Sequence, residues 1–537
     1  MSTMSSHTQR AGAARYEEAL HPFLLYRDHV RPVIEARRDD LAAMYAPVLG
    51  RPETDPVLLA GITVLQTLER LPDRLAVERA MFDRRWQLAL GLPDGWTGVH
   101  PSLLCVFRAR LARYDGGRRI FESGLEALRA AGYLGSRRAV RIDSTHVLAD
   151  LAAMSRLECV REALREALAF LAAWGNGEAW EPWVSRYAER NPSDLRRASV
   201  PHLKATMERA GADVRDVLAQ VDRLGEGVAN AGPVKLLRRI FEEQFEVRSE
   251  GPPVPRPSTP AGAVRNPHDP DAQWSTKRSL GKAGWVGYKV QVCETAAESS
   301  RERPEPTSAV ITAVVTQPAI TSDHGSLPPV LEAHASFVET PPQTVFADAG
   351  YLSAPALEQA EVDGYELCGP IGSPPHSATR FGSDAFDVDL PNRRAVCPAG
   401  IASSQCALIV ETRLAVPIYY FEWARAHCAT CALAAQCLSK RKRQPFRTLQ
   451  VSAGHMWVQD RRRLCRTPEY RQRMRRRNAI EGTISELKRG YGIRRCRYRG
   501  LAKTRLQMHL AATACNLRRW AARRIWLDRK HRGALRA

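Results

Sequence analysis

Strand-forming runs are few and far apart in this chain of 537 residues, and that spacing restricts the folds open to it. β-branched or alternating stretches occur at AVRID ending in Asp143, at WVGYKVQVCET from Trp285, at SAVITAVVTQPA from Ser308, and at QTVFADAGY around Asp348. Elsewhere the apolar spacing is helical, and a helix, SLPPVLEAHASF, is expected before the last run. A sheet gathered from such distant pieces and covered by helices belongs to the α/β class. Two of the runs close on an acid, Asp143 and Asp348. Taken alone, an acid there serves equally well to cap a turn.

A chain this long exceeds a single core and divides into several parts. The expected organisation is an all-helical N-terminal domain (14–134), a first strand (136–150) and a helical insertion (151–250). A Pro-rich linker without regular structure (251–275) leads to the central α/β part (276–370). A Cys-rich insertion (371–455), a basic helical part (456–525) and a basic tail (526–537) follow. Asp323 and His324 fall in a loop, where a turn role competes with a metal or DNA contact. No apolar run reaches bilayer length and the N-terminus lacks an apolar signal core, so a cytoplasmic protein with no membrane partner is expected.

Charge is segregated. Residues 461–537 hold 25 Lys+Arg against 4 Asp+Glu, which accounts for the whole net charge of +21, while the first 460 residues are balanced. Because Leu, Ile, Trp and Tyr interleave with these cations, a folded phosphate-binding surface is expected in place of a solvated tail. Within it, Arg477, Glu481 and Lys488 share one face of a helix expected over 478–487. Such a stripe is either a salt-bridged surface or an acid held among cations beside a phosphate.

The spacing R-(3)-E-(6)-K resembles the Y-(2)-R-(3)-E-(6)-K signature of bacterial insertion-sequence transposases with a DDE, RNase H-like catalytic domain; Met474 stands at the Tyr position. D-S-T at Asp143 and D-A-G-Y at Asp348 resemble the two aspartates of that set. LERLPDRLAVERA with the segment from His100 to Leu111 is similar to the family's N-terminal helical domain. The resemblance implies an RNase H-like mixed sheet and a bacterial, nucleoid-associated enzyme. It would cut the inverted-repeat ends of an element and join them to target DNA, as a homodimer or larger assembly. Asp143, Asp348 and Glu481 would hold two Mg²⁺ or Mn²⁺ ions. Arg477 and Lys488 would bind phosphates beside them, and Arg494, Arg495, Arg497 and Arg499 would bind the DNA backbone. An RNase H-like nuclease without strand transfer and a non-catalytic DNA-binding descendant are the alternatives.

Twelve cysteines in a cytoplasmic chain of this size read as thiols and not as a disulfide scaffold. Cys397, Cys428, Cys431 and Cys437, with Cys406 spare, suit tetrahedral Zn²⁺; free thiols and an iron–sulfur cluster stay open.

Overall fold

The computed structural model describes residues 18–45, 54–134, 138–175, 177–190, 195, 198–247, 251–276, 284–296, 309–338, 340–372, 380–411, 416–438 and 446–534. Four N-terminal helices organise the first part: α1 (Pro56–Glu69), α2 (Asp73–Phe82), α3 (Ser102–Tyr114) and α4 (Arg118–Ala130). Strand β1 (Ala139–Leu148) follows. The chain then leaves the sheet for α5 (Arg156–Trp174), α6 (Val200–Leu224) and α7 (Gly232–Gln244). It returns through β2 (Gln273–Ser275), β3 (Trp285–Thr295), β4 (Ile311–Pro318), α8 (Asp323–Ala335), β5 (Thr344–Phe346), α9 (Ala354–Val362) and β6 (Glu366–Cys368).

The six strands form one mixed sheet, as the sequence led one to expect. β3 pairs antiparallel with β1, β2 and β4, and β1 continues into parallel pairing with β5, which pairs with β6. The order is therefore β4-β3-β1-β5-β6, with the short β2 also paired to β3, the RNase H-like layout. α8 and α9 cover one face, burying Ile142, Leu327, Val330 and Leu357.

The opposite face is covered by the end of the chain. After β6 the chain builds a small module from β7 (Asp387–Asp389), β8 (Arg394–Val396), β9 (Gln405–Glu411), β10 (Val416–Glu422), α10 (Arg425–Ala429), α11 (Ala434–Cys437) and β11 (Thr448–Ser452). It ends in α12 (His455–Arg466), α13 (Pro468–Met474), α14 (Ala479–Gly490) and α15 (Leu501–Ala534). α15 lies between the sheet and α1, α3 and α4, so Tyr288, Val290 and Ile311 share one core with Leu65, Leu125 and Leu510. Each such side chain contributes about 1.5–3 kcal/mol by leaving water.

Three expectations need correcting. Asp143 does not end its strand: Ser144 to Leu148 keep the alternation and pair with β3 out to Gly287, which leaves Asp143 in the middle of β1. The stretch 251–275 is not a structureless linker. Val254–Pro255 pairs with Phe245–Glu246, Ala263, Val264 and Asn266 are buried, and Asp269 and Asp271 accept from the backbone of Gly500 and Leu501 at 3.0 and 2.9 Å. The helical part of the basic region is not a phosphate surface along its length. α15 is buried almost throughout from Leu506 to Ala521, because its apolar and small residues surround it on every side.

Candidate active site

Register brings the two aspartates together. β1 and β5 run parallel with Arg141 opposite Phe346, and Asp143 and Asp348 lie two residues further along each chain. Since side chains alternate with a period of two, both carboxylates leave on the side of Arg141 and Phe346, away from α8 and α9. That is the side crossed by α14, which buries Ile480, Thr483, Ile484 and Leu487 against the sheet. Glu481 is exposed in the first turn of this helix, with Arg477 in the 3₁₀ turn before it and Lys488 seven residues on.

The charges interlock. Arg477 Nη1 is 3.4 Å from Asp348 Oδ1. Asp143 takes the backbone N–H of Ser144 at 2.7 Å, and Asp348 takes that of Ala349 at 2.7 Å. Burial, reinforced by the negative charges of Asp348 and Asp323, pushes the Asp143 carboxyl up to about 6, against the opposing pull of Ser144 N–H and Arg477. Lys488 is half-buried; burial and Arg494 lower its pKa while the charge of Asp143 works the other way. Glu481 thus stands between two cations that both act on Asp143.

Asp323, for which a turn role competed with a metal or DNA contact in the sequence, lies near enough for its charge to act on Asp143. It is not in a loop but in the first turn of α8, which Ser322 caps through Gly325 N–H at 3.3 Å. Its Oδ1 accepts from Lys289 Nζ at 2.8 Å and from Ser144 Oγ at 3.0 Å, so it grips the residue next to Asp143 from the far face of the sheet. The glycine of D-A-G-Y has a physical cause here, since a Cβ on Gly350 would meet Asp323 Oδ2 at 2.9 Å. Tyr351 is buried beneath and donates its hydroxyl to Gln291.

Arg494, Arg495, Arg497 and Arg499 are all exposed on the loop between α14 and α15, while Ile493 and Cys496 anchor it. The loop runs beside the end of β1: Leu148 N–H donates to Arg494 O at 2.9 Å and Cys496 N–H to Leu148 O at 2.8 Å. These four arginines therefore flank the strand that carries Asp143.

Oxygen donors alone, two of them on neighbouring strands of the sheet, are the donor set that a hard divalent ion takes. The carboxylate oxygens of Asp143, Asp348 and Glu481 do not all lie within 4.8 Å of one another. Among the described residues, the three potential ligand atoms that do are those of Glu162, Glu166 and His268, in the helical insertion. Arg165 and Arg190 each contact Glu162 at 3.0 Å and already neutralise that group. Cys397, Cys428, Cys431 and Cys437 line a single cavity in the module after β6, and Cys406 lies outside it.

A mixed sheet in this order, with carboxylates on adjacent strands and a third on a helix crossing them, defines the RNase H-like class. A family model for a transposase DDE domain matches residues 396–521, which includes Arg477, Glu481 and Lys488; a transposase domain model, DUF772, matches residues 19–110. The two matches support an insertion-sequence transposase of the DDE type. No curated protein and no solved structure matches it. Among the described residues, no helix is long and apolar enough to cross a membrane.

Proposed function

We propose that this transposase cuts the ends of its element and joins them to target DNA, using Asp143, Asp348 and Glu481 as ligands for two divalent ions. The observation that carries this reading is the pairing of β1 with β5, which sets Asp143 beside Asp348 on the side where α14 presents Glu481. Bound there, Mg²⁺ or Mn²⁺ would lower the pKa of an attacking water or 3′-hydroxyl and stabilise the leaving 3′-oxygen.

The chain's own groups do the rest. Arg477 and Lys488 hold the phosphates flanking the reacting one and keep the strand in line for displacement. Asp323, through Ser144 and Lys289, fixes the backbone from which Asp143 projects. Arg494, Arg495, Arg497 and Arg499 neutralise backbone phosphates along the edge leading to the site. Two ends must be cut and joined together, so two or more copies act on the DNA.

The test is a duplex carrying the DNA that flanks this reading frame, incubated with the protein and Mg²⁺. Nicking at the element end and appearance of joined product support the proposal. Cleavage without joining would reduce it to a nuclease. Binding with no metal-dependent cleavage would make the protein a non-catalytic DNA binder.

A further inference from the structure

The module between β6 and α12 contains two helices whose placement their own packing does not explain. α10 has five residues, α11 has four, and neither buries a side chain. Isolated helices are marginal in water below about 12–15 residues, and most helices in proteins are held by a packed apolar face. These two are far below that length, and what they pack against the module's core is little more than Cys428 and Cys437. The core of the module is small as well: seven buried side chains, Phe421 and Trp423 among them, with Cys397, Cys428 and Cys437 among the partly buried ones at its edge. Cores of this size are usually stapled by a disulfide or a metal, and all the module's cysteines are free thiols.

What α10, α11 and the turn joining them share is the direction of three thiols. Cys428, Cys431 and Cys437 line one cavity, and its wall is completed by Cys397 from a separate segment, the turn after β8. That turn is tight: Cys397 N–H donates to Ile401 O at 2.9 Å and Gly400 N–H to Cys397 O at 2.8 Å, with Gly400 at φ +80° where glycine is favoured. Arg447 closes the arrangement. Its backbone N–H points to Cys428 Sγ at 3.5 Å, and its guanidinium donates to Cys437 O at 3.0 Å and Phe381 O at 2.9 Å.

We infer that Cys397, Cys428, Cys431 and Cys437 hold one structural Zn²⁺ as a tetrathiolate, and that this ion ties α10 and α11 to the turn after β8. Four thiols from two segments, three of them on short helices and the turn between them, are the donor set such an ion takes. Binding releases the thiol protons, and the Arg447 cation offsets part of the negative charge of the resulting centre. Edges of a zinc tetrathiolate are about 3.8 Å, from Zn–S bonds near 2.3 Å. Among the described residues no three of these sulfurs lie within 4.8 Å of one another, so loading draws the walls inward. His427 also lines the cavity, but four sulfurs leave it no position on a tetrahedral ion.

The site has a consequence for the rest of the chain. The module is docked on α12 through Gln459 Nε2 to Phe386 O at 2.6 Å and Arg463 to Asp387 at 3.2 Å, and α12 leads through α13 into the turn bearing Arg477.

The experiment is metal analysis of the full-length chain, purified without chelator and measured in the absence of DNA. About one zinc per chain is expected, released when an organomercurial titrates the thiols. Cys428→Ser and Cys431→Ser should each lower bound zinc by roughly tenfold or more, while Cys406→Ser leaves it unchanged. Should the serine variants fail to fold, cobalt reconstitution of the parent chain decides: sulfur-to-cobalt charge-transfer bands support the site. No zinc together with no cobalt uptake by the reduced protein overturns it. So does zinc retained in both serine variants, and iron with visible absorbance overturns the choice of ion. None of these readouts depends on DNA cleavage, so this inference and the proposed function fail separately.

Discussion

α14 and α15 follow one another and draw on the same basic stretch of sequence, yet they use their cations in opposite ways. α14 keeps one apolar stripe, Ile480, Ile484 and Leu487, against the sheet and carries Lys488 on its flank beside Glu481. α15 is surrounded, and its Arg519, only 7% exposed, is held inside by Glu294 at 3.1 Å and Glu486 at 2.7 Å; Arg141 reaches the same Glu294 at 3.1 Å from β1. Where a basic helix has one apolar face, its charge flanks a site; where small and apolar residues encircle it, each inward cation must find a buried acid. Net charge alone does not separate the two cases.

The largest effect that would test this division is on chemistry. Asp143→Asn, Asp348→Asn and Glu481→Gln are each expected to slow metal-dependent cleavage by about 10³-fold or more, because a lost ligand removes several kcal/mol of transition-state stabilisation. Thermal melting should hardly change. A variant that cleaves like the parent removes its residue from the site.

Next comes stability on the α15 side. Arg519→Met leaves the fully buried Glu294 with Arg141 and the Thr483 hydroxyl and is expected to cost about 3 kcal/mol in urea unfolding, the lower end for breaking a buried pair. If the midpoint stays put, α15 does not depend on its internal charges and the contrast with α14 fails.

Arg477→Ala and Lys488→Ala sharpen the comparison from the α14 side. Single-turnover cleavage at saturating protein should fall by about 10²-fold, with affinity changed only about twofold. Full recovery of cleavage at saturation would reduce both to general DNA contacts. Replacing Arg494, Arg495, Arg497 and Arg499 together by Ala should do the reverse, lowering the slope of log affinity against log salt by about 0.9 per lost phosphate contact while saturated cleavage holds.

The mildest test uses acid. His509 on α15 is buried against Gly116 O at 2.8 Å, and burial lowers its pKa. A depressed folded value means the stabilising neutral form is fully present above the ordinary value of about 6.5 and is lost as pH falls below it. Between pH 7.5 and 6.0 the loss is at most about 1 kcal/mol, read as a drop in urea midpoint that His509→Gln should remove.

Much of the candidate site was legible because its signals are local. Asp348 with Gly350 and Tyr351, and the spacing of Arg477, Glu481 and Lys488, are visible within a few residues of sequence. What escaped depends on distant partners. Asp143 looked like a strand's last residue because Ser144 and Thr145 favour turns, and only pairing with β3 shows the strand continuing. Asp323 looked like a loop residue because the helix was expected to begin only at Ser326, yet Ser322 caps a helix that starts at Asp323 itself. The Arg141–Glu294–Arg519 network joins residues hundreds of positions apart, and no periodicity signals it. The same holds for α15, whose arginines weighed more in the sequence than the Ala and Leu between them.

Because α15 closes the core from the far end of the chain, folding must wait for translation. Tyr288, Val290 and Val292 on β3 leave the ribosome more than 200 residues before the middle of α15. At about 5–20 residues per second, that face of the sheet stays uncovered for roughly 10–45 s and the facing sides of α1, α3 and α4, made earlier still, for roughly 20–90 s. The newborn protein is therefore exposed to chaperones and proteases for that interval. A premature stop between β4 and α15 leaves both apolar surfaces open for good, so such shortened products are expected to be degraded and not to persist as DNA-binding remnants.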